Sequence, residues 1–550
     1  MIFKRPFNTI WIYLGLLVLL TVPLCWRIFG NDLINAHDSM AGLIRALSMN
    51  ENMGRGQWLV RWAPGINWGY GYPMFNFYPP FFSCTAVLFF QLTHHMVLAM
   101  NLSCSLFWLL SGIGMFLFAR EFWGDEGGMF SAVLYLWAPY HMIDLYVRGA
   151  FAEFSSFAFF PFLLLFILKM SRNMGLGIFC LGIASVFGLS LTHNIMSMLF
   201  FPVAVAYMLF LYFTKKRSVW ILWTVGAFVV GLMMSSFFWL PALVEKQFLN
   251  LDFLISMRYD FHKSFVSWAE LFLPMNKDTV DGISFQVGVL HSLVALCTLI
   301  FLPRIFKISK ALGFSYIFFF MVGFSAVFFS LSMSHPFWER ISMLRFVQFP
   351  WRFLTIIVFA ISFLCGSLGL IIRNPLIRNV LLIMAGIAAI CISLNTVPKP
   401  TFVDHERTPE NFLAMGEGEY TPRWIMVPPN GFPSRKFEIV HGSGQLGDEK
   451  VINPVHYETT FQAAEASALC FHSFYFPGWK VLVDGQSVDP NLKNPFGVIL
   501  FFVPPGNHDI EVVFGPTGIR IMAVIISWLG FILLLACIWR IKFASKSVPI

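Results

Sequence analysis

Long stretches of this chain show no alternation of apolar and polar positions. Apolar residues run nearly unbroken at 8–28, 96–118, 127–144, 153–170, 174–192, 195–214, 219–240, 287–303, 311–332, 353–372, 378–396 and 518–539. A helix needs about 17 to 25 such residues to cross the hydrocarbon core of a bilayer, so the pattern predicts about twelve transmembrane helices. The first run lacks a small-residue cleavage site and is expected to remain as an anchor. A further run, "FYPPFFSCTAVLFFQL" from Phe77 to Leu92, is shortened by Pro79 and Pro80. It is expected to lie on the membrane or dip into it without crossing.

The pattern changes over 397–516, where Pro, Gly and charged residues become dense. "FHSFYFPGWKVLVDG", "FGVILFFVPPG" and "HDIEVVFGP" are short β-rich runs separated by turn residues. Asp484-Gly485 is a hairpin signal, and Pro505-Gly506 a weaker one. A small β-sandwich held at both ends by helices is expected. The loop 241–286 mixes aromatic and charged residues without long polar stretches and is expected to form short helices against the membrane surface. The domain plan is therefore a transmembrane domain over 1–396 with loops 29–95 and 241–286, a β-rich domain over 397–516, and a final helix and tail over 517–550.

Composition agrees with the hydropathy. The 550 residues are 57% hydrophobic and 12% charged, which excludes a soluble globule. If the Phe77–Leu92 run does not cross, Lys4/Arg5, Lys169/Arg172, Lys215–Arg217, Arg304/Lys307/Lys310, Arg373/Arg378 and Arg540/Lys542/Lys546 share one side. The positive-inside rule makes that side the cytoplasm, with both termini in it and the β-rich domain outside. The net charge of +8 is then a topology signal, and nucleic acid is not an expected partner. Nine cysteines show neither a disulfide framework nor zinc spacing. No phosphate-binding loop, dinucleotide fingerprint, HExxH or nucleophile elbow is present, so no nucleotide cofactor is expected.

The chemistry-bearing residues crowd the outer ends of the spans. In "HDSMAGLIRAL", Met40, Leu43, Ile44 and Leu47 follow helical spacing. Asp38 is then either the N-cap of that helix or a base or metal ligand at the mouth of the bundle. His37 is the second candidate base. In "HMIDLYVRGAFAE", Asp144, Arg148 and Glu153 cluster at a helix end, as an interhelical ion pair or as part of a substrate site. His193 sits at another helix end, where a hydrogen-bonded structural role competes with a ligand role. Arg345, Gln348 and Arg352 in "LRFVQFPWRFL" suit a phosphate-bearing ligand or lipid headgroups, because guanidinium groups match phosphate geometry. The aromatic segment Trp68–Tyr78 would stack on sugar faces or anchor at the interface.

Taken in order, "HDSMAGLIRAL", "RWAPGINWGYGYPMFNFYPP", "YVRGAFAE", "LTHN" and "VQFPWRFL" resemble the bacterial membrane proteins labelled 6-pyruvoyl-tetrahydropterin synthase-related, over roughly 30–355. The tail "YFPGWKVLVDG…GVILFFVPPGNHDIEVVF" is similar to the C-terminal region of YfhO-like membrane proteins. Neither the fold nor the histidine cluster of the soluble pterin synthase is present. The architecture instead looks like that of GT-C glycosyltransferases. That resemblance implies transfer of a sugar from a polyprenyl-phosphate donor, within the membrane lipid, to a glycan or lipid acceptor. It matches Asp38 to the first-loop acid, and Glu153 or Asp144 to a second acid. These carboxylates, Asp38 and Glu153 first, would be the ones available to a divalent cation. Arg148, Arg352 and Arg345 would receive the departing phosphate. The rival is a lipid-linked glycan transporter or a noncatalytic assembly factor. A transporter should carry ionisable residues near mid-span, where this chain has few.

Overall fold

Apolar surroundings leave backbone N–H and C=O groups no partner except one another, and each apolar run accordingly lies on helical segments. The computed structural model describes residues 8–25, 30–214, 218–250, 260–273, 283–396, 401–403 and 419–544. Among these, seven helices are long and apolar enough to cross a membrane, or up to nine when each of two bent pairs counts as one span. The difference from twelve has local causes. The runs 96–118 and 127–144 fall in one long stretch, Met96–Leu136 and its continuation to Tyr146, with a break at Gly124 (φ 76°, ψ 178°). Ile10–Pro23 and Leu176–Thr192 are shorter apolar helices. The run after the prolines forms Phe81–Thr93, 13 residues ending at a left-handed His94. At about 1.5 Å per residue it is roughly 20 Å long, short of a hydrocarbon core of about 30 Å.

Small residues set the closest helix contacts. A side chain at Gly127 would stand 2.4 Å from the Gly366 carbonyl oxygen, so the Met96–Leu136 stretch and the end of Leu354–Cys365 meet backbone to backbone. In the 241–286 loop, short helical pieces occur at Lys246–Phe248, Phe261–Lys263 and Trp268–Phe272, and 251–259 and 274–282 lie outside the described residues.

The C-terminal region folds as two antiparallel sheets. Val498–Val503, Ser467–Phe474 and Phe437–His441 form one, in that order. The other runs Gly444–Leu446, His456–Ala463, Gly506–Phe514, Trp479–Val483, Gln486–Val488, with Lys450–Asn453 also paired to His456–Ala463. Alternate residues Tyr457, Thr459, Phe461 and Ala463 point inward, as the two-residue period of a strand requires. Phe437, Phe471 and Phe501 from the first sheet and Phe461, Val481 and Val512 from the second share one apolar cluster. Asp484-Gly485 makes the expected tight hairpin, with φ of 52° and 76° and Val483 opposite Gln486. Pro505-Gly506 does not. The strands on either side of it belong to different sheets, and the chain turns a corner there.

Aromatic contacts seat this region on the helices. Trp62 meets Trp479 edge-on at 5.4 Å, Trp68 meets Phe432 at 5.3 Å, Tyr70 stacks on Phe474 at 5.4 Å and Phe77 on Tyr420 at 5.6 Å. Beneath them the buried Glu245 carboxylate accepts from Arg520 Nη2 (2.9 Å), Asn76 Nδ2 (2.7 Å) and Thr517 Oγ1 (2.7 Å). Arg520 Nη2 also donates to the Pro477 carbonyl at 2.8 Å. One ion pair thus ties the helix Ser236–Glu245, the final helix Gly518–Ala544 and the sheets together.

Candidate functional site

Backbone pairing brings the first loop to the "YVRGAFAE" turn. The amides of His37 and Asp38 donate to the carbonyls of Val147 (3.1 Å) and Arg148 (2.8 Å). The approach depends on Gly149, which has φ of 64° and where an added Cβ would stand 2.6 Å from Ser39 Oγ and 2.8 Å from Ser39 N. Asp38 therefore starts the helix Ser39–Gly54 directly beside Arg148. It occupies the N-cap position, yet its side chain makes no capping bond. The carboxylate has no hydrogen bond or ion pair among the described residues.

A cavity of about 300 Å³ opens at this junction. Asp38, Arg148, Glu153, His193, Arg345, Gln348 and Arg352 all line it, drawn from positions more than three hundred residues apart in sequence. Two of the sequence candidates do not. His37 is exposed and off the wall, and Asp144 lies fully buried, paired to Arg148 Nη1.

Glu153 is fully buried with both oxygens engaged. Oε1 accepts from Tyr140 Oη (2.8 Å) and Arg148 Nη1 (3.0 Å), and Oε2 from Arg352 Nε (3.2 Å). It holds two guanidinium groups at fixed positions in the wall. Arg352 Nη1 donates to the Val347 carbonyl (2.9 Å) and to Gln348 Oε1. Gln348 adopts φ of 70°, a conformation unusual for a side chain of its size, and is retained through this contact. The Nη2 groups of Arg148 and Arg352 have no hydrogen-bond partner among the described residues. The Arg148 guanidinium also stands 4.5 Å from the centre of the Trp351 ring. His193 Nδ1 accepts from the Met196 amide at 3.3 Å, which in the neutral ring leaves the proton on Nε2.

Charged or hydroxyl-bearing lining residues outside the sequence candidates are Arg45, Glu419 and Tyr420, while Tyr78 comes from the aromatic segment Trp68–Tyr78. Arg45 follows Asp38 by seven positions, two helical turns on the same face, a signal present in the sequence. Its guanidinium lies 3.8 Å from the centre of the Tyr78 ring. Glu419 and Tyr420 carried no signal, because they reach the cavity only through the docking of the C-terminal region. The Trp68–Tyr78 aromatics mostly serve that docking, and Tyr78 alone of them lines the cavity.

Glu153 spends both oxygens on Tyr140, Arg148 and Arg352, which leaves Asp38 and Glu419 as the other carboxylates of the lining. Among the described residues, the one group of three or more His, Cys, Asp or Glu side chains close enough to share an ion lies outside the cavity lining. No disulfide links the described cysteines.

The fold and the cavity define a polytopic helical membrane protein with a C-terminal β-sheet region and an arginine-rich polar cavity at their junction. The chain belongs to the membrane-protein family described as "6-pyruvoyl-tetrahydropterin synthase related domain", whose model matches residues 75–403. Asp38 and Arg45 precede the matched stretch. No curated protein matches the chain in sequence. Among solved structures it is similar to ArnT from Cupriavidus metallidurans bound to undecaprenyl phosphate, at 16% identity and TM-score 0.38, covering 70% of this chain and 64% of that one. It is similar to the arabinofuranosyltransferase AftD from Mycobacteria at 14% identity and TM-score 0.42, covering 72% and 27%. It is also similar to the Archaeoglobus fulgidus oligosaccharyltransferase tethered with an acceptor peptide, at 11% identity and TM-score 0.43, covering 77% and 60%. The chain thus spans less than two thirds of the length of each.

Proposed function

We propose that the cavity takes the phosphate of a polyprenyl-phosphate-linked sugar and transfers the sugar to a hydroxyl of an envelope glycan, lipid or protein acceptor. The observation that carries this reading is the pair of guanidinium groups of Arg148 and Arg352, bridged by the buried Glu153 carboxylate, with the Asp38 carboxylate, unpaired among the described residues, on the same wall. Preorganised cations placed where negative charge develops stabilise a departing phosphate without reorganising during the reaction. In the step, the acceptor oxygen bonds to the anomeric carbon, the bond from that carbon to the phosphate oxygen breaks, and the acceptor proton passes to Asp38. Polyprenyl phosphate leaves against Arg148 and Arg352, with Arg345 at the rim. Glu153 enters as the carboxylate that positions the two arginines, in place of the catalytic acid expected from the sequence. His37 has no part.

In this reading the bundle is a GT-C-like arrangement of about twelve spans in a bacterial inner membrane. Its termini are cytoplasmic, and the two sheets form an external sandwich over the cavity. The basic clusters of the sequence support that orientation. Mass spectrometry of lipid extracts from a deletion strain tests the reading. Accumulation of a polyprenyl-phosphate sugar, consumed when purified protein and membranes are added back, is the expected result. An unchanged lipid profile together with loss of an envelope glycan would favour a noncatalytic assembly factor. Sugar-lipid flipped but not consumed would favour a transporter.

A further inference from the structure

Beside the cavity, outside its lining apart from Arg345, a second cluster joins two segments that are far apart in sequence. The short helix His335–Arg340 places His335 and Glu339 four residues apart, on one face. His262, from the turn Phe261–Lys263, lies against that face, its ring centre 5.1 Å from that of His335. His262 Nε2 is 2.7 Å and His335 Nε2 3.7 Å from the same oxygen, Glu339 Oε1. One ligand atom from each of the three side chains lies within 4.8 Å of the others.

We propose that His262, His335 and Glu339 form a site for a divalent transition cation of the zinc type. The donor set is two imidazoles and one carboxylate, which suits zinc and its borderline neighbours better than magnesium or calcium, whose sites are built from oxygen. The surrounding groups are arranged as metal sites arrange them. Asp260 Oδ1 bonds His262 Nδ1 at 2.5 Å, which holds the ring and leaves Nε2 directed at Glu339. The other Glu339 oxygen, Oε2, accepts from Arg345 Nη2 at 2.9 Å, leaving Oε1 for the ion. The side chains are partly exposed, so an ion has a path in and a fourth position remains for water. Arg345 is also part of the cavity wall. An ion on Glu339 would fix the anchor of that arginine and staple the 260–263 turn to the cavity rim.

The test uses the full chain purified in detergent with a tag that contains no histidine. Chelator-stripped protein is titrated with Zn²⁺, followed by thermal unfolding, and with Co²⁺, followed by its visible absorption. The expected result is one bound ion per chain and a zinc-dependent rise in Tm. Affinity should fall more than about 100-fold in the double variant His262→Ala/His335→Ala, and about 10- to 100-fold in Asp260→Asn, which removes only the orienting charge. Excess Mg²⁺ should not displace the ion. Absence of a bound ion in the wild type, undiminished binding in the double variant, or displacement by Mg²⁺ would each overturn the assignment. None of these readouts involves a sugar donor, so the result stands apart from the proposed transfer activity.

Discussion

Asp38→Asn separates chemistry from architecture at a single position. The substitution keeps the shape of the side chain and removes its charge and proton affinity. An aspartate that capped its helix would lose about 1 kcal/mol on replacement by alanine and almost nothing on replacement by asparagine. Here the side chain makes no capping bond, so neither replacement has one to lose. What remains is the attraction of a carboxylate to a helix N-terminus, about 0.3 to 1 kcal/mol at an exposed position. Both variants should therefore unfold within about 1 kcal/mol of the wild type. Loss of a general base, by contrast, costs about 100- to 10,000-fold in rate. At about 1.36 kcal/mol per decade that is roughly 2.7 to 5.4 kcal/mol of barrier, well clear of the stability change. The assay pairs thermal unfolding in detergent with consumption of the sugar-lipid that accumulates in a deletion strain. Asp38→Asn and Asp38→Ala should fail alike in turnover and melt alike. A well-folded Asp38→Asn protein with wild-type turnover would refute the role of the carboxylate and leave Asp38 as a helix start.

Arg352→Ala should weaken donor binding by about 10- to 100-fold, the worth of a charge-assisted hydrogen bond, and Arg352→Lys by less, because lysine keeps the charge and loses the fork; equal affinity in all three would remove Arg352 from the site. Arg520→Met leaves the buried Glu245 carboxylate without its counter-charge and should cost about 3 to 5 kcal/mol in unfolding measurements. Much of that should return in Arg520→Met/Glu245→Gln. In the sheets, His508 donates from Nδ1 to Asp484 Oδ2 at 2.7 Å and from Nε2 to the Pro504 carbonyl at 3.0 Å, so the imidazolium is satisfied on both sides. The Asp484 bond raises the His508 pKa above 6.5, and the His508 bond lowers that of Asp484 below 3.8. The histidine's contribution is full below about pH 6.5 and is lost as pH rises through its raised value. The aspartate's is full above about pH 3.8 and is lost as pH falls through its lowered value. The Tm difference between wild type and His508→Asn should therefore be largest at about pH 5 and shrink by about pH 8; a difference that grows with pH would contradict the pairing.

The membrane class, the β-rich C-terminal region and the Asp484-Gly485 hairpin were legible along the chain, because each rests on local physics. Unbroken apolar length, two-residue alternation and positive-φ turn residues act over neighbouring positions. Most of the cavity wall was legible as well. Charges at the ends of apolar spans cost free energy unless something holds them, which is why Asp38, Arg148, Glu153, His193, Arg345 and Arg352 stood out against their surroundings. What each one does there was not legible. Glu153 and Asp38 are both acids beside an apolar run, yet one is buried under two arginines and the other has no hydrogen-bond partner among the described residues. That difference comes from Arg352 meeting Glu153 and from the Gly149 turn seating the first loop, contacts made between segments distant in sequence. Glu419 and Tyr420 reach the cavity only when the sheets dock, and His262 meets His335 and Glu339 only when two loops fold onto one end of the bundle. The sequence determined which side chains could not rest alone in an apolar setting. Their partners were decided by long-range packing, because hydrogen bonds and ion pairs form over a few ångströms of space and are indifferent to separation along the chain.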